Sequence, residues 1–134
     1  MGVNRERIKL LAEALESGEY EQCWGALRIG DKYCCLGVAC EVAIKNGLDI
    51  ARQPPPHEGG ADLFRYDGEP SVLPNSVRAW YGFPESSEFL NGAGNPMIDT
   101  EGFGRCAAAQ ANDEWGLSFP AIAAGFRNEY LTPA

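Results

Sequence analysis

The sequence is short of bases, of histidine and of paired metal ligands. It holds 11 Lys and Arg against 19 Asp and Glu, a net charge of −8 over 134 residues. Phosphate backbones are gripped mainly by Lys and Arg, so this deficit argues against non-specific nucleic-acid binding. It argues equally against an anionic membrane surface. The imbalance is uneven: residues 1–60 carry 7 basic and 9 acidic groups, a balance of −2, and residues 61–134 carry 4 and 10, a balance of −6. Its safest consequence is solubility. No apolar run approaches the roughly 20 residues needed to cross a bilayer. The stretch Met1–Glu6 has no h-region, so no secretion signal is expected. Glu6 stands where a myristoylation signal favours Ser or Thr.

Calcium-loop, dinucleotide and P-loop patterns are missing as well. The nearest glycine cluster, Asn91-Gly92-Ala93-Gly94-Asn95, reads as a loop, with Pro96 after it. The one histidine, His57, sits in the run Pro54-Pro55-Pro56-His57-Glu58-Gly59-Gly60, a surface loop in which a solvated imidazole is the ordinary outcome. A Cys–His nucleophile therefore has little support. The acids Asp99, Glu101, Asp113 and Glu114 could in principle hold a hard cation or move a proton. Solvated acids are the default, with Asp99 suited to capping a helix near residue 100.

What the chain has in excess is sulfur in one apolar segment. Cys34, Cys35 and Cys40 lie within Cys34-Cys35-Leu36-Gly37-Val38-Ala39-Cys40; Cys23 and Cys106 complete the five. An odd count without a secretion signal points to reduced thiols. A zinc site needs about four ligands in tetrahedral reach, yet no C-x-x-C occurs, and adjacent cysteines point apart in a strand or a helix. Free cysteine is among the residue types most often buried as a small hydrophobe. Packing is the expectation, with no metal, no cofactor and no catalysis.

The patterning predicts one α+β domain over residues 1–134. It has a central buried helix, two short hairpins and three or four flanking helices. Residues 4–17 read as an amphipathic helix capped by Asn4, with Ile8, Leu11, Ala12 and Leu15 on one stripe. Residues 26–34 form a hairpin across Gly30-Asp31. Cys35 to Lys45 is apolar on nearly every side and belongs at the centre. Gly37 within it either permits close backbone packing or marks a strand running on to Val38. Residues 48–62 are a loop. A second hairpin joins Phe64-Arg65-Tyr66 to Ser71-Val72-Leu73 across Asp67-Gly68. Pro74 opens a short helix carrying Val77, Trp80 and Tyr81. Residues 84–98 are irregular. A helix with Phe103, Cys106, Ala107, Gln110 and Ala111 on one face follows, broken at Gly116. Ser118 caps the last helix, with Phe119, Ile122, Ala123, Phe126 and Tyr130 inward.

Three segments together carry a resemblance: Tyr33–Ala43 with its Cys-Cys-Leu-Gly-Val-x-Cys core, Leu73–Phe83 with Leu-Pro-x-x-Val-x-x-Trp, and Asn112–Ala123 with Asn-Asp-x-x-Gly-x-Ser-Phe-x-x-Ile-Ala. The chain resembles a group of small uncharacterised proteins of tailed phages and prophages, especially those of actinobacteria. It departs at Ala111, where leucine is usual, and in the inserted loop 54–60. The resemblance implies a phage origin and a life in the host cytoplasm, and brings no catalytic residues.

The function expected is a non-enzymatic phage accessory protein that binds a host protein. Trp, Tyr and Arg dominate interface energetics. Trp80, Tyr81, Arg78, Trp24 and Trp115 are therefore the candidate contacts, with Arg28, Arg105 and Arg127 as further members. The alternative is a protein that sequesters a small nucleotide signal by aromatic stacking and an arginine clamp. A DNA-binding regulator is a further alternative, since Ala111, Gly116 and Ile122 fit helix-turn-helix spacing; against it, the second helix offers only Arg127 as a base. A minor virion component is a fourth reading. Self-association is left open.

Overall fold

The computed structural model describes residues 3–54, 63–69, 72–83, 96–102 and 104–131. Its centre is α2 (Cys35–Lys45), buried at every position from Cys35 to Ala43. The predicted all-apolar helix is therefore present with its expected bounds. Around it lie α1 (Arg5–Glu16), α3 (Asn75–Tyr81), α4 (Ala108–Asp113) and α5 (Phe119–Phe126), the last running on into π turns over Arg127–Leu131. A five-stranded sheet of very short strands and a separate hairpin complete an α+β domain.

Helix α1 starts where its sequence says it should. Asn4 has extended backbone and its Oδ1 accepts from the Arg7 N–H at 3.1 Å; Ile8, Leu11, Ala12 and Leu15 are buried. The Asn4 N–H donates to the Tyr81 carbonyl oxygen at 2.8 Å, which ties the start of α1 to the end of α3. Helix α5 uses Ser118 as its cap and buries Phe119, Ile122, Ala123 and Phe126. It lies against α1, where Arg127 and Glu16 pair at 2.8 Å.

The sheet runs β1 (Glu21–Gln22), β3 (Lys32–Tyr33), β2 (Arg28–Ile29), β5 (Leu63–Tyr66), β4 (Arg52–Gln53). The expected β2–β3 hairpin forms across Gly30-Asp31, with Ile29 opposite Lys32. The second expected hairpin is corrected. The Asp67-Gly68 turn exists, with both residues at positive φ, but only Glu69 returns, in a single bridge to Tyr66. Strand β5 finds its partners elsewhere, in β2 and in β4, which the sequence reading placed inside a loop. Val72 and Leu73 are not strand, Leu73 joins the core, and Ser71 lies outside the described residues.

A larger correction falls between residues 97 and 107. Met97–Thr100 (β6) and Gly104–Ala107 (β7) form an antiparallel hairpin where an irregular segment and the first half of a helix were expected. Ile98 and Thr100 point inward in alternation, a period-2 signal too short to stand out. The residues Cys106, Ala107, Ala108 and Ala111 are apolar at both periods, so the helix signal extended too far back; α4 starts only at Ala108. Phe103 lies outside the described residues. Asp99, expected as a helix cap, is exposed on β6, and its carbonyl oxygen accepts from Asn128 Nδ2.

Gly37 is where the backbone of α2 meets the chain before the hairpin. A Cβ there would stand 1.9 Å from the Leu27 carbonyl oxygen, which itself accepts from the Cys34 N–H at 3.1 Å. Of the two readings of Gly37, close packing is the one realised. Gly125 meets the side chain of Ile98 instead, at 2.9 Å from its Cδ1. A side chain yields and a hydrogen-bonded carbonyl does not. Gly37→Ala is therefore expected to lose about 3 kcal/mol or fail to fold. Gly125→Ala, which also approaches the Ile98 Cβ to 3.1 Å, should cost clearly less than Gly37→Ala, about 1–2 kcal/mol, because improved helix propensity offsets part of the crowding. Urea unfolding of both variants checks the contrast.

Candidate contact surface around Trp24

The aromatic and arginine candidates separate into three places. Tyr81 is fully buried, donates its hydroxyl to the Ala39 carbonyl oxygen at 2.7 Å and stacks on Phe83. It belongs to the core and offers no surface. Trp80 is half-buried, and one face carries the Arg7 guanidinium at 4.2 Å from the ring centroid. Arg7 also donates to the Trp80 carbonyl oxygen at 2.8 Å. Arg78 donates to Asn75 Oδ1 and to the Phe83 carbonyl oxygen, which locks the end of α3. Among the α3 members, Arg78 thus serves its own helix, Trp80 joins α3 to α1 and Tyr81 joins it to α2.

Trp24 differs. It is 54% exposed, the most exposed of the large apolar side chains described. The backbone on both sides of it is fixed. The Cys23 N–H donates to the Tyr33 carbonyl oxygen at 2.8 Å, and the Cys23 carbonyl oxygen accepts from Asn112 Nδ2 at 2.9 Å. The Gly25 N–H donates to Asp113 Oδ1 at 3.0 Å, with Gly25 at φ 85°. An indole presented on a loop ordered beforehand loses little entropy when a partner covers it. Trp115, half-buried, follows on the connector between α4 and α5.

Asn112 organises this region. Fully buried, it accepts at Oδ1 from Gln22 Nε2 at 2.8 Å and from the Cys35 N–H at 3.2 Å. It donates from Nδ2 to the Cys23 carbonyl oxygen and to Asp113 Oδ1 at 2.8 Å. Gln22 Nε2 also donates to the Leu117 carbonyl oxygen at 2.8 Å, which ties the Trp24 loop to the α4–α5 connector. The sequence reading passed over Asn112. Its signal was an amide side chain within an otherwise apolar helical face.

All five cysteines are free and buried. Burial pushes the Cys34 thiol up to about 12 and raises Cys35 and Cys40 well above their ordinary range. Among the described residues, no three His, Cys, Asp or Glu side chains gather as a metal site. His57 and the Asn91–Asn95 glycine cluster lie outside the described residues.

A second charged cluster was also missed. Glu41, the lone acid of α2, is held by Arg52 Nε and Nη2 at 2.9 and 2.8 Å and by the Tyr66 hydroxyl at 2.6 Å. Burial pushes its carboxyl up, the hydrogen bonds from Arg52 and Tyr66 outweigh this, and the net direction is down. Beside it Arg28 lies over Phe64 at 3.9 Å and Tyr33 at 5.0 Å. A charge within an apolar helix implies a partner elsewhere in the chain, and that was its signal. Helix α5, the would-be reading helix, exposes Pro120, Ala121 and Ala124, which carry no donors for base edges.

A family model described as a domain of unknown function, DUF8296, matches residues 4–129. The chain belongs to this family. The DUF8296 span includes Trp24, the thiols of α2 and the Asn112 network. No curated protein and no solved structure matches.

Two outcomes are expected. Asn112→Ala leaves the Cys23 carbonyl and the Cys35 N–H without their partner, and should cost about 3 kcal/mol in urea unfolding. It should also speed hydrogen exchange at Gly25. The second concerns alkali. In the unfolded chain the thiols ionise near 9.0, whereas folded Cys34 keeps its proton to about 12. Folded protein then binds more protons than unfolded, so stability holds below that range and falls as pH rises through it, by about 1.4 kcal/mol per unit for each such thiol. Unfolding free energies above pH 9 check this, with native-state alkylation slow at every cysteine; rapid labelling of one would contradict it.

Proposed function

We propose that the chain is a non-enzymatic phage accessory protein that acts in the host cytoplasm by binding a host protein, with Trp24 as its principal contact. One observation carries the reading: a large aromatic side chain stands in solvent on a loop whose flanking peptide groups are both pinned. Trp is over-represented among residues that dominate interfaces. The buried, proton-retaining thiols support a role without covalent chemistry, since the thiolate is the reactive form. The phage origin rests on the resemblance of the Cys-Cys-Leu-Gly-Val-x-Cys, Leu-Pro-x-x-Val-x-x-Trp and Asn-Asp-x-x-Gly segments.

A second reading, nucleotide binding, draws on Arg28, whose guanidinium is stacked on Phe64 and near Tyr33 with Arg52 close by on the Glu41 carboxylate. Stacking and a second guanidinium are what a nucleotide would use. The protein reading is preferred because these groups already satisfy one another, while Trp24 faces solvent.

Capture from a lysate of the bacterial host tests both. Tagged Trp24→Ala should lose a host protein that wild type and Trp80→Ala retain, with affinity down about tenfold or more, equivalent to about 1.4 kcal/mol. Equal capture by all three overturns the Trp24 assignment. In a parallel thermal-shift screen, a rise of several degrees with one nucleotide, removed by Arg28→Ala, would replace the first reading with the second.

A further inference from the structure

The structure has an apolar cavity of about 170 Å³ between the β6–β7 turn and the outer side of α5, lined by Thr100, Glu101, Gly102, Leu117, Ala121 and Ala124. An apolar space of roughly this size holds a benzene-sized group. Leu117 connects it to the Trp24 loop through the Gln22 hydrogen bond at 2.8 Å. We propose that this cavity receives one aliphatic or aromatic side chain from a Lys/Arg-rich segment of the protein that Trp24 contacts. The inference rests on the protein-binding reading and adds the chemistry of the partner.

Charge decides which partner fits. Glu101 lies in the lining itself, Asp99 is exposed on β6, and Asp113 and Glu114 are exposed at the end of α4. Arg105, on β7, is engaged by Glu129 at 3.1 Å. Residues 61–134 carry a balance of −6. A second copy of this chain would add another −8 to the encounter, a net repulsion. A basic segment with a single apolar anchor satisfies both the cavity and its rim. Rim charges of this kind raise the association rate and make it salt-sensitive.

The test is selection of a randomised peptide library on the immobilised full chain. Enrichment of a Leu, Ile, Met or Phe flanked by Lys or Arg is expected. The selected peptides should lose affinity about tenfold or more on Ala121→Trp, which fills the cavity from an exposed helix position. They should also weaken on Glu101→Lys, and bind less tightly as salt rises. Circular dichroism melting establishes that Ala121→Trp is folded; if it is not, Glu101→Lys carries the test. No enrichment, enrichment of acidic or wholly polar peptides, or undiminished binding to folded Ala121→Trp overturns the inference. Host capture separates the two claims. A host protein lost by Trp24→Ala but kept by Ala121→Trp removes the cavity assignment alone, one kept by both removes the Trp24 and cavity assignments together, and capture of no host protein by the wild-type chain removes the protein-binding reading with them.

Discussion

Helix α2 begins without a cap of its own. Cys34 has the extended backbone of an N-cap residue, but its side chain makes no capping hydrogen bond. The missing acceptor comes from Asn112, 77 residues along the chain. Because the same carboxamide also holds the Cys23 carbonyl and Gln22, three parts of the fold settle together: the start of the central helix, the loop that carries Trp24, and the α4–α5 connector. A buried amide of this kind is favourable only when every donor and acceptor is met, and here both atoms are used twice.

The second constraint is the depth of α2. A helix buried on all sides has no room for even a Cβ where another backbone crosses it, and Gly37 marks that crossing. It has no place for a thiolate either, so its sulfur is filler. Its single charge, Glu41, is tolerated because Arg52 and Tyr66 reach it from β4 and β5. That pairing gives the short strands a reason to lie where they do: two-residue strands gain little from their own ladders, and the ion pair fastens the far edge of the sheet to the core.

Much of this was legible in the sequence where one element explains itself. Helices α1, α2 and α5, the cap at Asn4, the cap at Ser118 and the Gly30-Asp31 turn all follow from local chemistry. What was not legible depends on distant partners. Strand β5 pairs with β2 and β4, not with its neighbour, and four residues cannot announce that choice. The β6–β7 hairpin was hidden because small apolar residues fit either period. The contact surface followed the same pattern. Composition singled out Trp24, Trp80, Tyr81, Trp115 and Arg78 alike, but only burial separates an indole in solvent from a tyrosine in the core. Asn112 was overlooked because its importance lies wholly in what it touches.

The span between Cys35 and Asn112 has a meaning for biosynthesis. At about 5–20 residues per second, translation takes roughly 4–15 s to deliver Asn112 after Cys35 has been made. Through that interval the most apolar segment of the chain has its amino end open and its neighbour α4 still unwritten. The nascent protein must therefore wait, partly collapsed, for its own last third. A fragment that ended before that point would keep α1 and α3 against α2 but leave the side that α4 covers open.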